Sequence, residues 1–185
     1  MPEVQKQPVL YVIACGGYPA GHLPDFVSFA QLQGWDVCVV ATPPGTRFLD
    51  AASLAEQTGH TVRSQYKQPD EPDVLPPADA LVVAPATFNT INKWAHGVSD
   101  TLALGLLNEA TGLGLPIIAV PWLSAALLRH PAFQHSVAAL REWGVRIILD
   151  PDRPARPAGA AAFPWEKLRA ELADLLLVAQ QSQQP

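Results

Sequence analysis

The sequence predicts an α/β fold: a doubly wound parallel sheet, Rossmann-like or flavodoxin-like, with helices on both faces. Three observations carry that prediction. Short runs rich in Val and Ile, each closing at Gly, Pro or Thr, are apolar without alternation, as strands buried on both faces are. Segments of helical period separate them, so strand and helix take turns and right-handed crossovers follow. The 185 residues, 49% of them hydrophobic, suffice for one compact core and are few for two domains. Residues 1–185 therefore read as a single domain with its core over 8–149.

In chain order, VLYVIAC (Val9 to Cys15) is the first strand, followed by Gly16-Gly17 and a helix over Asp25 to Gln33. DVCVVAT (Asp36 to Thr42) is the second strand, with a helix over Phe48 to Gln57 and a further short strand at Thr61 to Ser64. Tyr66 to Pro77 is a proline-rich loop, either functional or mobile. ADALVVAP (Ala78 to Pro85) is the third strand; it empties into small, hydroxyl and amide residues at a helix N-terminus. A helix over Ser99 to Ala110, a strand over Leu115 to Pro121, a helix over Pro131 to Trp143 and a fifth strand at Val145 to Leu149 complete the alternation. Asp150 to Pro164 is irregular. The C-terminal helix over 165–180 carries an apolar stripe, Leu168, Leu172, Leu175 and Leu176, which should dock on the domain or on a partner subunit.

Charge narrows the partners. A net charge of −5 without any cluster of Lys or Arg argues against nucleic-acid and membrane surfaces, which attract basic patches. No apolar run approaches a spanning length and MPEVQKQ is too polar for a secretory segment, so a cytoplasmic location is expected. Cys15 and Cys38 lie in apolar runs with no Cys-x-x-Cys and no paired His, so neither a metal site nor a disulfide framework is expected.

In an open α/β sheet the ligand lies beyond the carboxyl ends of the strands, which directs attention to three loops. Gly16 and Gly17 let the backbone approach a phosphate while the next helix points its N-terminal amides at it. Thr42 and Thr46 add two hydroxyls, with Arg47 as a cation, and the third loop offers Thr87, Asn89 and Thr90. Neither Gly-x-Gly-x-x-Gly nor Gly-x-x-x-x-Gly-Lys-Ser/Thr occurs, so a mononucleotide suits the loops better than a dinucleotide or nucleoside triphosphate. A tight turn and a helix cap would account for any one loop alone. Three on one sheet edge point to a ligand.

The segment APATFNTINKWAHGVSD resembles the flavin-binding segment of the flavin-containing cysteine decarboxylases, which include phosphopantothenoylcysteine decarboxylase and the lantibiotic peptidyl-cysteine decarboxylases. It keeps Ala84, Pro85, Ala86, Thr87, Asn89, Thr90, Lys93, Ala95, His96, Gly97 and Asp100, with Phe88 where the family usually has Ala. HPAFQHSVAALREWGV, His130 to Val145, is similar to a second family helix. The resemblance implies FMN as cofactor, with its phosphate near Gly16, Gly17, Thr42 and Thr46. It implies the isoalloxazine ring near Pro85, Ala86, Thr87 and Asn89, with Thr90 in the same loop. Trp122 has two readings, stacking on the flavin edge or packing after a buried strand. The resemblance also implies a homotrimer or higher homo-oligomer.

Elsewhere the sequence departs from that family. Its substrate clamp, Pro-x-Met-Asn-x-x-Met-Trp, here reads Pro121-Trp122-Leu123-Ser124-Ala125-Ala126-Leu127-Leu128, keeping only the proline. The position of the family's active-site His falls on Glu71, in the proline-rich loop, where a carboxylate is commonly just solvated. No Cys follows Cys38 to serve the phosphopantothenoyl enzymes' reductive step. His96 reads as structural or a subunit contact, and His22, His60 and His135 as surface or capping residues. Catalytic residues are therefore left unassigned. Two functions follow: an FMN-dependent oxidoreductase or decarboxylase acting on an unknown small or peptidyl substrate, or a non-catalytic FMN-binding partner or regulatory subunit. Flavin prenyl transfer is disfavoured, since no basic and aromatic pocket residues for a prenyl phosphate are evident.

Overall fold

Five parallel strands in the order β2-β1-β3-β4-β5 form one sheet in the computed structural model, which describes residues 7–72, 74–149 and 163–182. They are β1 (Val9–Ala14), β2 (Asp36–Ala41), β3 (Ala80–Ala86), β4 (Ile117–Pro121) and β5 (Arg146–Ile147). Every residue of β1, β3 and β4 is buried, the consequence of helices on both faces. Side chains alternate between two cores. Leu10, Val12 and Ala14 face α1 (Leu23–Leu32) and the C-terminal helix α7 (Trp165–Ser182), whereas Val9, Tyr11, Ile13 and Cys15 face the other way. That second face packs on α3 (Phe88–Ala95), α4 (Leu102–Gly112) and α6 (Pro131–Glu142).

Local chemistry sets the helix starts. The Asp50 carboxylate accepts from the Ser53 amide at 3.0 Å and caps α2 (Ala51–Thr58), so this helix begins three residues after Phe48 and a 3-10 turn occupies Gly45–Phe48. The Thr101 hydroxyl accepts from the Leu104 amide and moves the start of α4 from Ser99 to Leu102. Ser124 caps a short helix, α5 (Ala125–Leu128), that the apolar pattern did not reveal. Arg63 forms a single parallel bridge with Val40, the whole of the expected short strand there. Only Arg146 and Ile147 of the fifth run pair, at the sheet edge.

Helix α7 docks on the domain. Leu168, Leu172 and Leu175 are fully buried in the core shared with α1, and Leu176 packs beside them. Each fully buried leucine contributes roughly 1.5–3 kcal/mol, enough to hold the helix in place. Most of the irregular segment expected over 150–164 lies outside the described residues. Among the described residues no helix is long and apolar enough to cross a membrane.

Candidate functional site

The strand order fixes where a ligand fits. The chain leaves β1 toward β2 on one side and returns to β3 on the other, so the connections diverge at the carboxyl ends of β1 and β3 and leave a crevice there. The loops around that crevice are stitched together. The Cys15 amide donates to the Pro85 carbonyl at 3.1 Å, joining the end of β1 to the end of β3. A β-carbon at Gly17 would stand 3.3 Å from Pro85 Cγ, and one at Gly16 would stand 3.2 Å from Pro44 Cβ. Gly45 is the tightest point, since a β-carbon there would meet the Ala14 carbonyl oxygen at 2.3 Å. Gly16 and Gly17 are half-buried, and their amides have no hydrogen-bond partner among the described residues. Two adjacent amides at this strand end are thus left available to an acceptor.

The threonines after β2 behave differently. The Thr42 hydroxyl is buried, donates to the Ala14 carbonyl at 3.4 Å and accepts from the Gly45 amide at 3.2 Å. Thr46 donates to the Pro43 carbonyl at 2.8 Å. Both shape the loop around the glycines. Arg47 is exposed beside them, on a cleft of about 580 Å³ with Tyr18, Gly21, Phe48 and Asp50.

After β3 the opening residues divide into support and display. Pro85 and Ala86 are buried, and the Ala86 carbonyl accepts from the Trp122 amide at 2.9 Å, tying β3 to the end of β4. The Thr87 hydroxyl caps α3 by accepting from the Thr90 amide, and Thr90 itself is buried. Asn89 is exposed, and its side-chain amide has no partner among the described residues. Lys93, His96, Gly97 and Asp100 finish the helix: Lys93 pairs with Asp100 at 2.5 Å, His96 Nδ1 meets the Asn92 carbonyl at 2.7 Å, and Gly97 takes a φ of +69°.

A family model described as Flavoprotein matches residues 3–176. The chain belongs to the Flavoprotein family. It is 30% identical over 176 residues to a coenzyme A biosynthesis bifunctional protein CoaBC of Mycolicibacterium smegmatis, covering 91% of this chain and 41% of that protein. It is 28% identical over 117 residues to the CoaBC of Bacillus subtilis, covering 60% of this chain and 28% of that one. The flavoprotein chain thus spans less than half the length of these two relatives. It is 26% identical to a probable phosphopantothenoylcysteine decarboxylase of Streptococcus mutans, over 62% of this chain and 67% of that one. In fold it is similar to the FMN-dependent cysteine decarboxylase TvaF from thioviridamide biosynthesis, with a TM-score of 0.71 at 22% identity over 91% of this chain and 99% of that one. It is equally similar to HAL3 from Cryptococcus neoformans, with a TM-score of 0.71 at 22% identity over 94% and 98%.

In this flavoprotein the side chains of the loop after β4 are used for packing and capping. Trp122 is half-buried and packs edge-on against Phe163, with ring centroids 5.5 Å apart, in the core shared with α7. Ser124 is occupied as the cap of α5. His130 Nδ1 accepts from the Ala132 amide at 3.1 Å to start α6, and its ring meets Phe88 edge-on at 5.3 Å. Glu71 is exposed, its carboxylate accepting from the Gln68 amide within its own turn. His60 pairs with Asp36 at 2.7 Å, and among the described residues no His, Cys, Asp and Glu group could hold a metal ion.

Sequence reasoning missed Gly45 and Cys15. Gly45 stood in plain view in Pro-Pro-Gly, but its role depends on how closely the second loop approaches β1. Cys15 is fully buried with its thiol 3.3 Å from Thr90 Oγ1, and burial pushes its pKa up.

Proposed function

We propose that this flavoprotein binds FMN in the crevice between the ends of β1 and β3. The observation that carries the reading is the pairing of two free amides, Gly16 and Gly17, with Thr87 and the unpartnered Asn89 amide across that crevice. The residues present fit the group. The glycine amides and exposed Arg47 suit a phosphate monoester, while Asn89 offers both donors and an acceptor to the pyrimidine edge of the ring. Pro85 and Ala86, near which the ring is placed, are buried and back the crevice from beneath the loops. Thr42 and Thr46 support the cradle through the loop fold rather than through free hydroxyls. Bound FMN supplies a two-electron, hydride-accepting centre. The protein's part is to orient it and to keep the buried side dry. A homo-oligomer is part of the proposal, with exposed Tyr18 and Leu127 near this edge available for a subunit contact.

Two uses of such a site differ in the loop after β4. An enzyme acting on a thiol-bearing small molecule or peptide C-terminus needs polar groups there to hold substrate. The engagement of Ser124 and Trp122 in capping and packing favours the second use, an FMN-binding partner or regulatory subunit without the decarboxylase reaction. Mixing the FMN-loaded protein anaerobically with peptides ending in cysteine separates the two. Persistence of the visible flavin band, together with co-purification of one stable partner protein, supports the second use. Bleaching of the band by such a peptide would overturn it in favour of the enzyme.

A further inference from the structure

The edge of the sheet opposite the crevice carries a pocket for which FMN binding gives no role. It encloses about 320 Å³, near the lower end of the roughly 300–1,000 Å³ typical of ligand sites. Tyr11 of β1, Leu81 near the start of β3, Leu106, Ala110 and Leu113 of α4 and its end, and Leu115 just before β4 line it, together with residues 75–78. The pocket is formed by the fold itself. The Tyr11 hydroxyl donates to the Pro76 carbonyl at 2.7 Å, the Asp79 amide to the Val9 carbonyl at 2.8 Å, and the Val9 amide to the Asp79 carboxylate at 2.7 Å. These three bonds pin residues 76–79 to β1. The Leu115 amide donates to the Ala110 carbonyl at 3.0 Å and the Leu81 amide to the Pro116 carbonyl at 3.1 Å, which fixes the end of α4 beside β3. The loop leading into residues 75–78 is also held at its start: the Tyr66 hydroxyl donates to the Thr101 and Ser99 carbonyls, in a notch that a β-carbon at Gly105 would fill at 2.1 Å from the phenolic oxygen.

Charge selects what such a pocket can take. Glu109 is its only charged lining residue; it is exposed and has no hydrogen-bond or ion-pair partner among the described residues. Glu109 and Ala110 stand in the last turn of α4, the end at which the helix dipole is negative. That turn contains no basic side chain to offset either source of negative potential. We propose that this pocket is a second binding site, for a small organic cation in which an apolar chain or ring carries one ammonium group. The apolar body lies against the leucines, where its burial provides most of the affinity, and the ammonium stays at the rim beside Glu109 and the helix end. A carboxylate or phosphate would meet the same field with the wrong sign. The inference goes beyond the FMN reading and does not rest on it, because the two sites occupy opposite edges of the sheet.

The test titrates three six-carbon probes, hexylammonium, hexanol and hexanoate, into the full chain and follows the leucine and alanine methyl groups by NMR. Saturable shifts are expected at Leu81, Ala110 and Leu115, with a dissociation constant for hexylammonium on the order of millimolar, as suits so small a ligand. Hexanol is expected to bind roughly threefold more weakly, the size of one solvent-exposed ion pair, and hexanoate more weakly again. Glu109→Gln is expected to bring hexylammonium to the level of hexanol and to leave hexanol unchanged. Ala110→Phe fills the pocket and is expected to abolish the shifts at Leu81 and Leu115; if that variant does not fold, Leu106→Trp takes its place with the same expectation. The inference is overturned by the absence of saturable shifts at these methyls, by equal affinity for the three probes, by an ammonium preference that survives Glu109→Gln, or by undiminished binding in the filled variant. The visible spectrum is recorded on the same sample, so a colourless chain that takes up no added FMN and still binds hexylammonium overturns the FMN reading alone.

Discussion

The loops after β1 and β3 and the loop after β4 lie on the same edge of one sheet, yet they use their polar groups in opposite ways. Beside β1 and β3, the amides of Gly16 and Gly17 and the side chain of Asn89 have no partner among the described residues, while the buried hydroxyls of Thr42 and Thr90 bond to Ala14 and Thr87 in the neighbouring loops. After β4, Ser124 and His130 are taken up by helix caps and Trp122 by packing on Phe163. The first region leaves polar groups without partners among the described residues, and the second commits its side chains to closing the fold. On the FMN reading proposed above, holding a cofactor and recognising a substrate are separable within one scaffold.

The largest effect is expected from Gly45→Ala. Its β-carbon would lie 2.3 Å from the Ala14 carbonyl oxygen, so the loop after β2 must back away from β1. A loss of about 3 kcal/mol in urea denaturation is expected, with flavin retention lost alongside it. Full stability in this variant would break the idea that the loops are stitched together. Next comes Trp122→Ala, for which thermal and urea unfolding should show a loss of about 2 kcal/mol, because the ring is only half-buried. FMN affinity should stay within about twofold, and a selective loss of affinity would move Trp122 to the cofactor side.

Asn89→Ala acts on the loop after β3. Asn89 is exposed and its side chain has no hydrogen-bond partner among the described residues, so the melting curve should hold while FMN binding weakens about tenfold. The smallest effect concerns the thiols. Burial, with the Asp36 carboxylate nearby, pushes the Cys38 pKa up to about 12, and burial pushes Cys15 up as well. A thiol whose folded pKa is raised favours the folded state below its unfolded value, and that stability is lost as pH climbs through the folded value. Stability should therefore decline between about pH 9 and about pH 12, and thiol reagents at neutral pH should leave both cysteines unlabelled until the chain unfolds.

The fold was legible because its signals are additive along the chain. Runs such as VLYVIA and ALVVAPA are too evenly apolar to be anything but strands covered on both sides. The helix starts were less so: Asp50 and Thr101 set them through single capping bonds that the apolar period does not record. At the candidate site, the ends of β1 and β3 meet through the Cys15 amide and the Pro85 carbonyl, because loops at adjacent strand ends lie side by side. What composition could not convey is which hydroxyls are already engaged. Thr42 and Thr46 look identical to free donors in the sequence, and only the positions of the Ala14 and Pro43 carbonyls reveal their partners. The same holds for Trp122, whose contact with Phe163, forty-one positions further along the chain, the sequence does not reveal.

FMN bound in the crevice between β1 and β3 is what every cofactor prediction above rests on. Its most direct test is the visible spectrum of the purified protein, followed by heat release and chromatographic identification of the ligand. A yellow protein releasing near-stoichiometric FMN is the predicted result. A colourless protein that also fails to take up added FMN would contradict the account.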